Sequence, residues 1–222
     1  KKKWEKMINK YFLFIVLVLL QFSCNDTQEI KPLDDLYVNK LIPERENKDR
    51  DMKDDPNSPF NIDSTAKFEP LKYYEPSSEF IFKSKLYKNE KQDTIKIFGT
   101  RGEERKAIVE GYVLLKYSDK EYKLNIYKSF GSQGQSYHSI WFTDKTTGNE
   151  TYHVGRYLDF ELNTDPEHIY EIDFNRAYNP YCAYSSLYTC PIPTKEDYLD
   201  IEINAGEKNF HTELNTETKW LL

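Results

Sequence analysis

Between Asp173 and Pro193 the chain reads Asp-Phe-Asn-Arg-Ala-Tyr-Asn-Pro-Tyr-Cys-Ala-Tyr-Ser-Ser-Leu-Tyr-Thr-Cys-Pro-Ile-Pro, gathering aromatic rings, amides, an Arg and two cysteines into one stretch. Tyr178 and Tyr181 can stack and donate, Arg176 can fork onto a carboxylate or phosphate, and Asn175 and Asn179 both donate and accept. That chemistry suits recognition of a small polar ligand, anionic or polyhydroxylated. No nucleophile, base and orienting group stand at a spacing that identifies a reaction. A hydrolytic alternative needs Asp159 or Asp173 as general base and an Arg to stabilise developing charge. A third reading uses the tyrosine-rich loop to hold another envelope protein.

Upstream, Gly155-Arg-Tyr-Leu-Asp159 falls on a predicted strand, with Arg156, Leu158 and Phe160 on one face and Tyr157 and Asp159 on the other. Arg156 either enters the site as an anion clamp or pairs with a carboxylate such as Glu150 or Asp173. The candidate binding set is therefore Arg156, Asp159, Asp173, Asn175, Arg176, Tyr178, Asn179 and Tyr181. No cofactor is implied. Further on, Gly206 is expected in a turn conformation closed to most residues, with Glu207 and Lys208 pairing in solvent.

The cysteines depend on the compartment, which the first residues address. Lys1 to Lys10 is basic, Phe12 to Leu20 is unbroken apolar, and Ser23-Cys24 follows at once. An apolar run this short cannot span ~30 Å of hydrocarbon, which takes about 20 residues, but it fits a cleaved export peptide. Met7 reads as the start, and Ser23-Cys24 as the processing site of a bacterial lipoprotein lipidated on Cys24. Residues 1–23 are then a signal peptide, 24–35 a tether and 36–222 one domain in the cell envelope, tethered by acyl chains and not spanning. In that oxidising setting Cys182 and Cys190 are expected to pair, closing a nine-residue loop worth roughly 2.5 kcal/mol in the chain-entropy model. Seven residues between them are too many for a finger-type zinc pair, and a catalytic thiol would call on His138 or His153.

Loss of residues 1–23 removes five Lys and one Glu, taking the formal net charge from -6 to -10. Such a surface does not neutralise phosphates, so no nucleic-acid partner is expected. With 18 Tyr and 13 Phe against two Met and eight Gly, the composition favours strands. Pro43 at a first turn, Glu44 and Glu46 near it and basic residues further on predict a short helix over 43–53, stopped by Asp55-Pro-Asn-Ser-Pro59. Alternation then predicts strands near 79–87, 93–99, 106–117, 121–128, 137–143, 151–162, 169–175 and 198–204. Short turns such as Ser118-Asp-Lys120 join them as antiparallel hairpins, giving a mostly β domain of about eight strands, barrel or sandwich.

Several segments resemble a known family: Asp54-Asp-Pro-Asn-Ser-Pro-Phe60, Thr147-Gly-Asn-Glu-Thr-Tyr152, Gly155-Arg-Tyr-Leu-Asp159, Asp173 to Tyr184, Cys190-Pro191 and Ala205-Gly-Glu-Lys208. Together, from about Ile42 to Lys208, they look like Domain-of-Unknown-Function family sixteen-eighty-four, a bacterial and archaeal group. The resemblance implies no activity, cofactor or residue role. Two departures from its pattern, His153-Val154 and Asp197, predict a narrowed mouth to any site.

Overall fold

The computed structural model describes residues 32–130 and 134–210, so the expected signal peptide, Cys24 and most of the tether lie outside the described residues. Asp34 caps helix α1 (Asp35–Asp54) by accepting the Leu36 N–H at 3.0 Å, and Asp55 closes it by donating its N–H to the Asp51 carbonyl at 2.9 Å. The helix therefore starts well before the predicted 43, and Pro43 lies inside it. Pro43 is exposed, so water can take the carbonyl that its missing N–H leaves unpaired. Facing inward is a stripe of Tyr37, Leu41, Glu44, Arg45, Lys48 and Met52, spaced three or four apart. Only Leu41 and Met52 in α1 are buried. Next, Ser58 caps α2 (Pro59–Ile62) and sends Phe60 into a cluster with Tyr184 and Phe210, at ring separations of 5.5 and 5.2 Å.

Strands β2 (Tyr87–Phe98), β3 (Glu104–Tyr117), β4 (Lys120–Phe130), β5 (Ser136–Asp144) and β6 (Arg156–Phe160) form an antiparallel meander in that order. β1 (Ile81–Lys85) and β7 (Ile169–Asp173) pair antiparallel as a separate ribbon, and β8 (Tyr198–Leu199) adds a short parallel pairing to the end of β5. The turn at Ser118-Asp119 falls where expected, but Tyr87–Phe98 is one strand where a turn between 87 and 93 was expected, and β1 pairs with β7 instead of its neighbour in sequence. Among the described residues β2 and β6 do not pair, so no barrel closes and the arrangement is sandwich-like.

One face of the meander presents Val113, Leu115, Leu124, Ile126, Ile140, Phe142, Leu158 and Phe160 to Phe80, Phe82, Ile172 and Phe174 from the ribbon and its flanks. Each such side chain contributes about 1.5–3 kcal/mol on burial, enough to hold the ribbon down without a shared ladder. Ser84 adds a tie by accepting the Leu114 N–H at 2.9 Å. The opposite face carries Val109, Tyr127, Trp141 and Tyr157, which pack with Tyr178, Cys182 and Cys190 of the tyrosine-rich segment.

Two predicted strands shrink. The one expected over 151–162 begins only at Arg156, because Gly155 donates its N–H to the Tyr152 carbonyl at 3.0 Å and turns the chain at φ 115°. The one expected over 198–204 is reduced to Tyr198–Leu199; beyond it the Ile201 carbonyl accepts the Lys145 N–H at 2.9 Å, and Arg156 takes the carbonyls of Ile203 and Ala205.

Candidate functional site

β7 ends at Asp173, which is buried and acts as a junction. Its Oδ1 accepts the Asn175 N–H at 3.0 Å and the Asn175 amide at 2.9 Å, capping a 3-10 turn at Phe174–Arg176. Its Oδ2 accepts the Tyr37 hydroxyl at 2.6 Å and forms an ion pair with Arg176 Nε at 3.2 Å. Three hydrogen-bond donors and the Arg176 charge occupy the carboxylate, which makes Asp173 a structural junction. Asn175 also accepts the Ser77 N–H and donates to the Ser77 carbonyl, both at 2.8 Å, bridging two chain segments as backbone would.

Arg156 lies elsewhere. At 1% exposure it donates through Nη2 to Asp144 at 2.7 Å and to the Ile203 carbonyl at 2.9 Å. Nη1 donates to the carbonyls of Ala205 and, at 3.3 Å, Glu207. Its ion-pair partner is thus Asp144, not Glu150 or Asp173. Here the guanidinium replaces a strand, tying the 203–207 segment to the sheet.

Glu207 overturns the expectation of a solvent pair. It is 1% exposed, and its carboxylate accepts Lys48 Nζ at 2.7 Å, the Asn179 N–H at 3.3 Å, the Asn179 amide at 3.1 Å and the Tyr184 hydroxyl. The cause is Gly206, at φ 76°, which turns the chain inward as expected of it. A Cβ there would stand 2.6 Å from the Phe174 carbonyl and 2.7 Å from that of Ala177, so the close approach requires glycine.

Between α1 and the segment after β7 lies a cleft of about 130 Å³, lined by Leu41, Glu44, Arg45, Lys48, Tyr73, Asn175, Arg176, Ala177 and Tyr178. Arg45 donates to the carbonyls of Tyr74 at 2.9 Å and Asn175 at 3.0 Å and lies over the Tyr73 ring at 4.5 Å. Burial pulls its guanidinium below the usual range. Arg176 bonds Glu44 with its side chain 39% exposed. Burial lowers Arg176, but the Glu44 hydrogen bond and charge, followed by Asp173, carry it above its ordinary value. The Tyr73 hydroxyl and Arg45 Nε are buried and have no hydrogen-bond partner among the described residues. Burial, ahead of the Glu207 and Asp49 charges, pushes the Tyr73 phenol far up, so it acts as a donor and not as a base.

Of the residues expected at a site, Asn175, Arg176 and Tyr178 line this cleft. Tyr178 donates its hydroxyl to the exposed Asp159 at 2.7 Å, with Lys48 Nζ 5.0 Å from its ring centre. Asp173 and Asn179 stand behind the wall, through Arg176 and Glu207 respectively. Tyr181 does not reach the cleft; it is 45% exposed and packs edge-on against Tyr188 at 5.2 Å. The sequence reading missed Arg45, Lys48 and Tyr73. A signal existed, because Leu41, Arg45, Lys48 and Met52 repeat at helical spacing on one face.

Cys182 and Cys190 are free thiols here, not the expected disulfide. The Cys182 N–H donates to Cys190 Sγ at 3.4 Å, and the Tyr152 hydroxyl reaches Cys182 Sγ at 3.6 Å, contacts that hold both sulfurs as hydrogen-bonded thiols. His138 faces Glu110, at 3.9 Å. The two departures noted in the sequence leave the cleft's mouth alone. His153 and Val154 sit in the turn before β6, and Asp197 is buried, accepting the Asn125 amide at 2.9 Å.

Comparison with known proteins agrees with this picture of the fold. A family model described as "Protein of unknown function (DUF1684)" matches residues 66–208, beginning later than the Ile42 at which the resemblance was first read. The cleft's loop wall falls inside the match and α1 outside it. No curated protein matches the chain. In fold it is similar to the solution NMR structure of an uncharacterized protein from Haloarcula marismortui, at 24% identity and a TM-score of 0.58, over 78% of this chain and 94% of that one.

Proposed function

The chain belongs to the DUF1684 family of proteins of unknown function, and from that premise we propose that it binds a small anionic or polar ligand in the cleft between α1 and residues 175–178. The observation that carries this reading is convergence: Arg45, Lys48 and Arg176 come from two distant parts of the chain to one cleft that also holds Tyr73 and Tyr178. At about 130 Å³ the cleft takes the volume of roughly four waters, counting ~30 Å³ each. That fits a phosphate, a short carboxylic acid or the charged end of something larger, and is too small for a whole nucleotide.

The wall can respond to such a ligand. Arg176 holds Glu44 in a half-exposed pair, and pairs of that kind are worth about 0–1 kcal/mol, so an incoming oxyanion can replace the carboxylate. A guanidinium fork on an oxyanion is stronger than the contact it gives up. Within the same proposal, lipid on Cys24 tethers this domain to a bacterial envelope membrane. The basic start, the short apolar run and Ser23-Cys24 support it.

The test is a thermal-shift screen of the full chain in mild detergent against inorganic phosphate, small mono- and dicarboxylates and simple sugars. A binder at one hundred times its Kd stabilises the fold by ~2.7 kcal/mol, well within reach of a melting scan. The reading expects at least one anion to raise Tm in the natural chain and not in Arg176→Ala. Absence of any shift across the panel, or a shift that survives Arg176→Ala and Lys48→Ala together, would overturn it.

A further inference from the structure

The tyrosine-rich segment carries a second site on the other side of the molecule's chemistry. Cys182 is half-buried within a 3-10 turn at Tyr181–Ala183, and Cys190 is buried against the opposite face of the meander. Their contact is direct, Cys182 N–H to Cys190 Sγ at 3.4 Å. Cys190 is anchored: its N–H donates to Thr100 Oγ1 at 3.2 Å, its carbonyl accepts the Thr100 N–H at 3.0 Å, and the Pro191 carbonyl accepts the Tyr157 hydroxyl. Cys182 instead sits on a turn, where the Tyr152 hydroxyl donates to its carbonyl at 3.1 Å and lies 3.6 Å from its sulfur. Cys182 is therefore the more exposed of the two thiols and sits on a turn, and Cys190 is held by its backbone bonds behind it.

We propose that Cys182 and Cys190 are a reversible dithiol–disulfide couple, with Cys182 as the attacking thiol and Cys190 as the resolving one, whose co-reactant is a small dialkyl disulfide of the glutathione type. In the first step Cys182 thiolate attacks one sulfur of that disulfide, forming a mixed disulfide and expelling one thiolate. In the second, Cys190 gives its proton to water and then, as thiolate, attacks Cys182 Sγ and expels the remaining half. Two protein thiols become one cystine while one small disulfide becomes two thiols, so electrons and protons balance. The electrostatics agree with these roles. The hydrogen bond shared with Cys190, ahead of the opposing effect of burial and the contribution of Tyr152, leaves the Cys182 thiol below its usual range. The same contact, then burial, pushes Cys190 up. A low thiol on the accessible side and a high one behind it is the arrangement that attack followed by resolution requires. The proposal is independent of the cleft and of any ligand there.

The experiment uses the full chain carrying Cys24→Ser, so that only this pair can exchange. It is equilibrated across reduced-to-oxidised glutathione ratios, quenched in acid, alkylated and read peptide by peptide in a mass spectrometer. The expected result is an internal Cys182–Cys190 cystine at oxidising ratios that is lost again at reducing ones. Cys190→Ser should stall with one glutathione on Cys182, and Cys182→Ser should lose exchange altogether. A natural pair that stays dithiol at every ratio would overturn the proposal, as would a folded Cys190→Ser chain that takes no glutathione. If either variant fails to fold, a brief alkylation pulse on the natural pair decides: Cys182 labelled ahead of Cys190 supports the roles, and the reverse order overturns them.

Discussion

Arg156 holds Asp144 and three backbone carbonyls at 1% exposure, whereas Arg176 holds Glu44 and Asp173 with its side chain 39% exposed. Both are guanidiniums on carboxylates, and the sequence gives no reason to assign them different duties. Solvent separates them. At Arg156 every partner is internal and neither side chain of the pair is more than 1% exposed, so exchange for a ligand would strand Asp144 as a lone buried charge. At Arg176 the partner Glu44 lies at the rim of a cleft and can return to water at little cost. The same chemistry is structural in one place and available in the other.

The sharpest way to break that contrast is Arg156→Ala. It leaves Asp144 buried and three carbonyls without a donor, a loss of about 3–5 kcal/mol for breaking a buried pair. Urea denaturation should show it as a large fall in midpoint. A cost near that of a surface pair would mean that the 203–207 segment is held by something other than the guanidinium.

Glu207→Gln comes next. The amide keeps the side chain's shape but removes the charge that Lys48 meets at 2.7 Å and turns one acceptor against the Asn179 amide. Losing hydrogen bonds to a charged group costs about 1.5–3 kcal/mol by the same denaturation measurement. Because Lys48 also lines the cleft, this variant should alter ligand response as well as stability, which Arg156→Ala should do only through unfolding.

A third effect is confined to acid. Hydrogen bonds from Ser185, then from Thr65, hold the buried Asp63 carboxyl at about 2, against 3.8 for an ordinary one. Because the folded value is depressed, the contribution is complete above the unfolded value and disappears as pH falls from about 4 toward 2. The gap in Tm between the natural chain and Asp63→Asn should therefore be constant at neutral pH and close over that acid window. A gap that persists at pH 2 would show that Asp63 is not the group responsible.

The same contrast explains what could be read from one sequence. β3, β4 and β5 were legible to within two residues at either end, because β3 alternates cleanly and β4 and β5 are buried on both faces along continuous central runs. α1 was foreshortened because Pro43 reads as a first-turn residue, whereas it lies inside the helix on an exposed side. The strand expected over 198–204 was lost beyond Leu199 because the Ile203 carbonyl goes to Arg156, a side chain distant in sequence, and the Ile201 carbonyl to the Lys145 N–H just past β5. At the site, Asn175, Arg176 and Tyr178 were legible as polar residues leaving a strand end. Arg45 was not, since its bond to the Asn175 carbonyl joins positions 130 residues apart and nothing local records that meeting.

The smallest stability effect is the most informative about function. Arg176→Ala removes a half-exposed pair with Glu44 and the ion pair with Asp173. The loss of fold stability should stay within about 1 kcal/mol, because Tyr37 and Asn175 still satisfy Asp173 and Glu44 is free to hydrate. What the variant should lose is the rise in Tm with an added anion, since the fork that meets the ligand is gone. Measured side by side, Arg156→Ala should fall far in urea at every ligand concentration, and Arg176→Ala should fall little and cease to respond. A large stability loss in Arg176→Ala, comparable to that of Arg156→Ala, would place both guanidiniums in the framework and leave the cleft without its exchangeable cation.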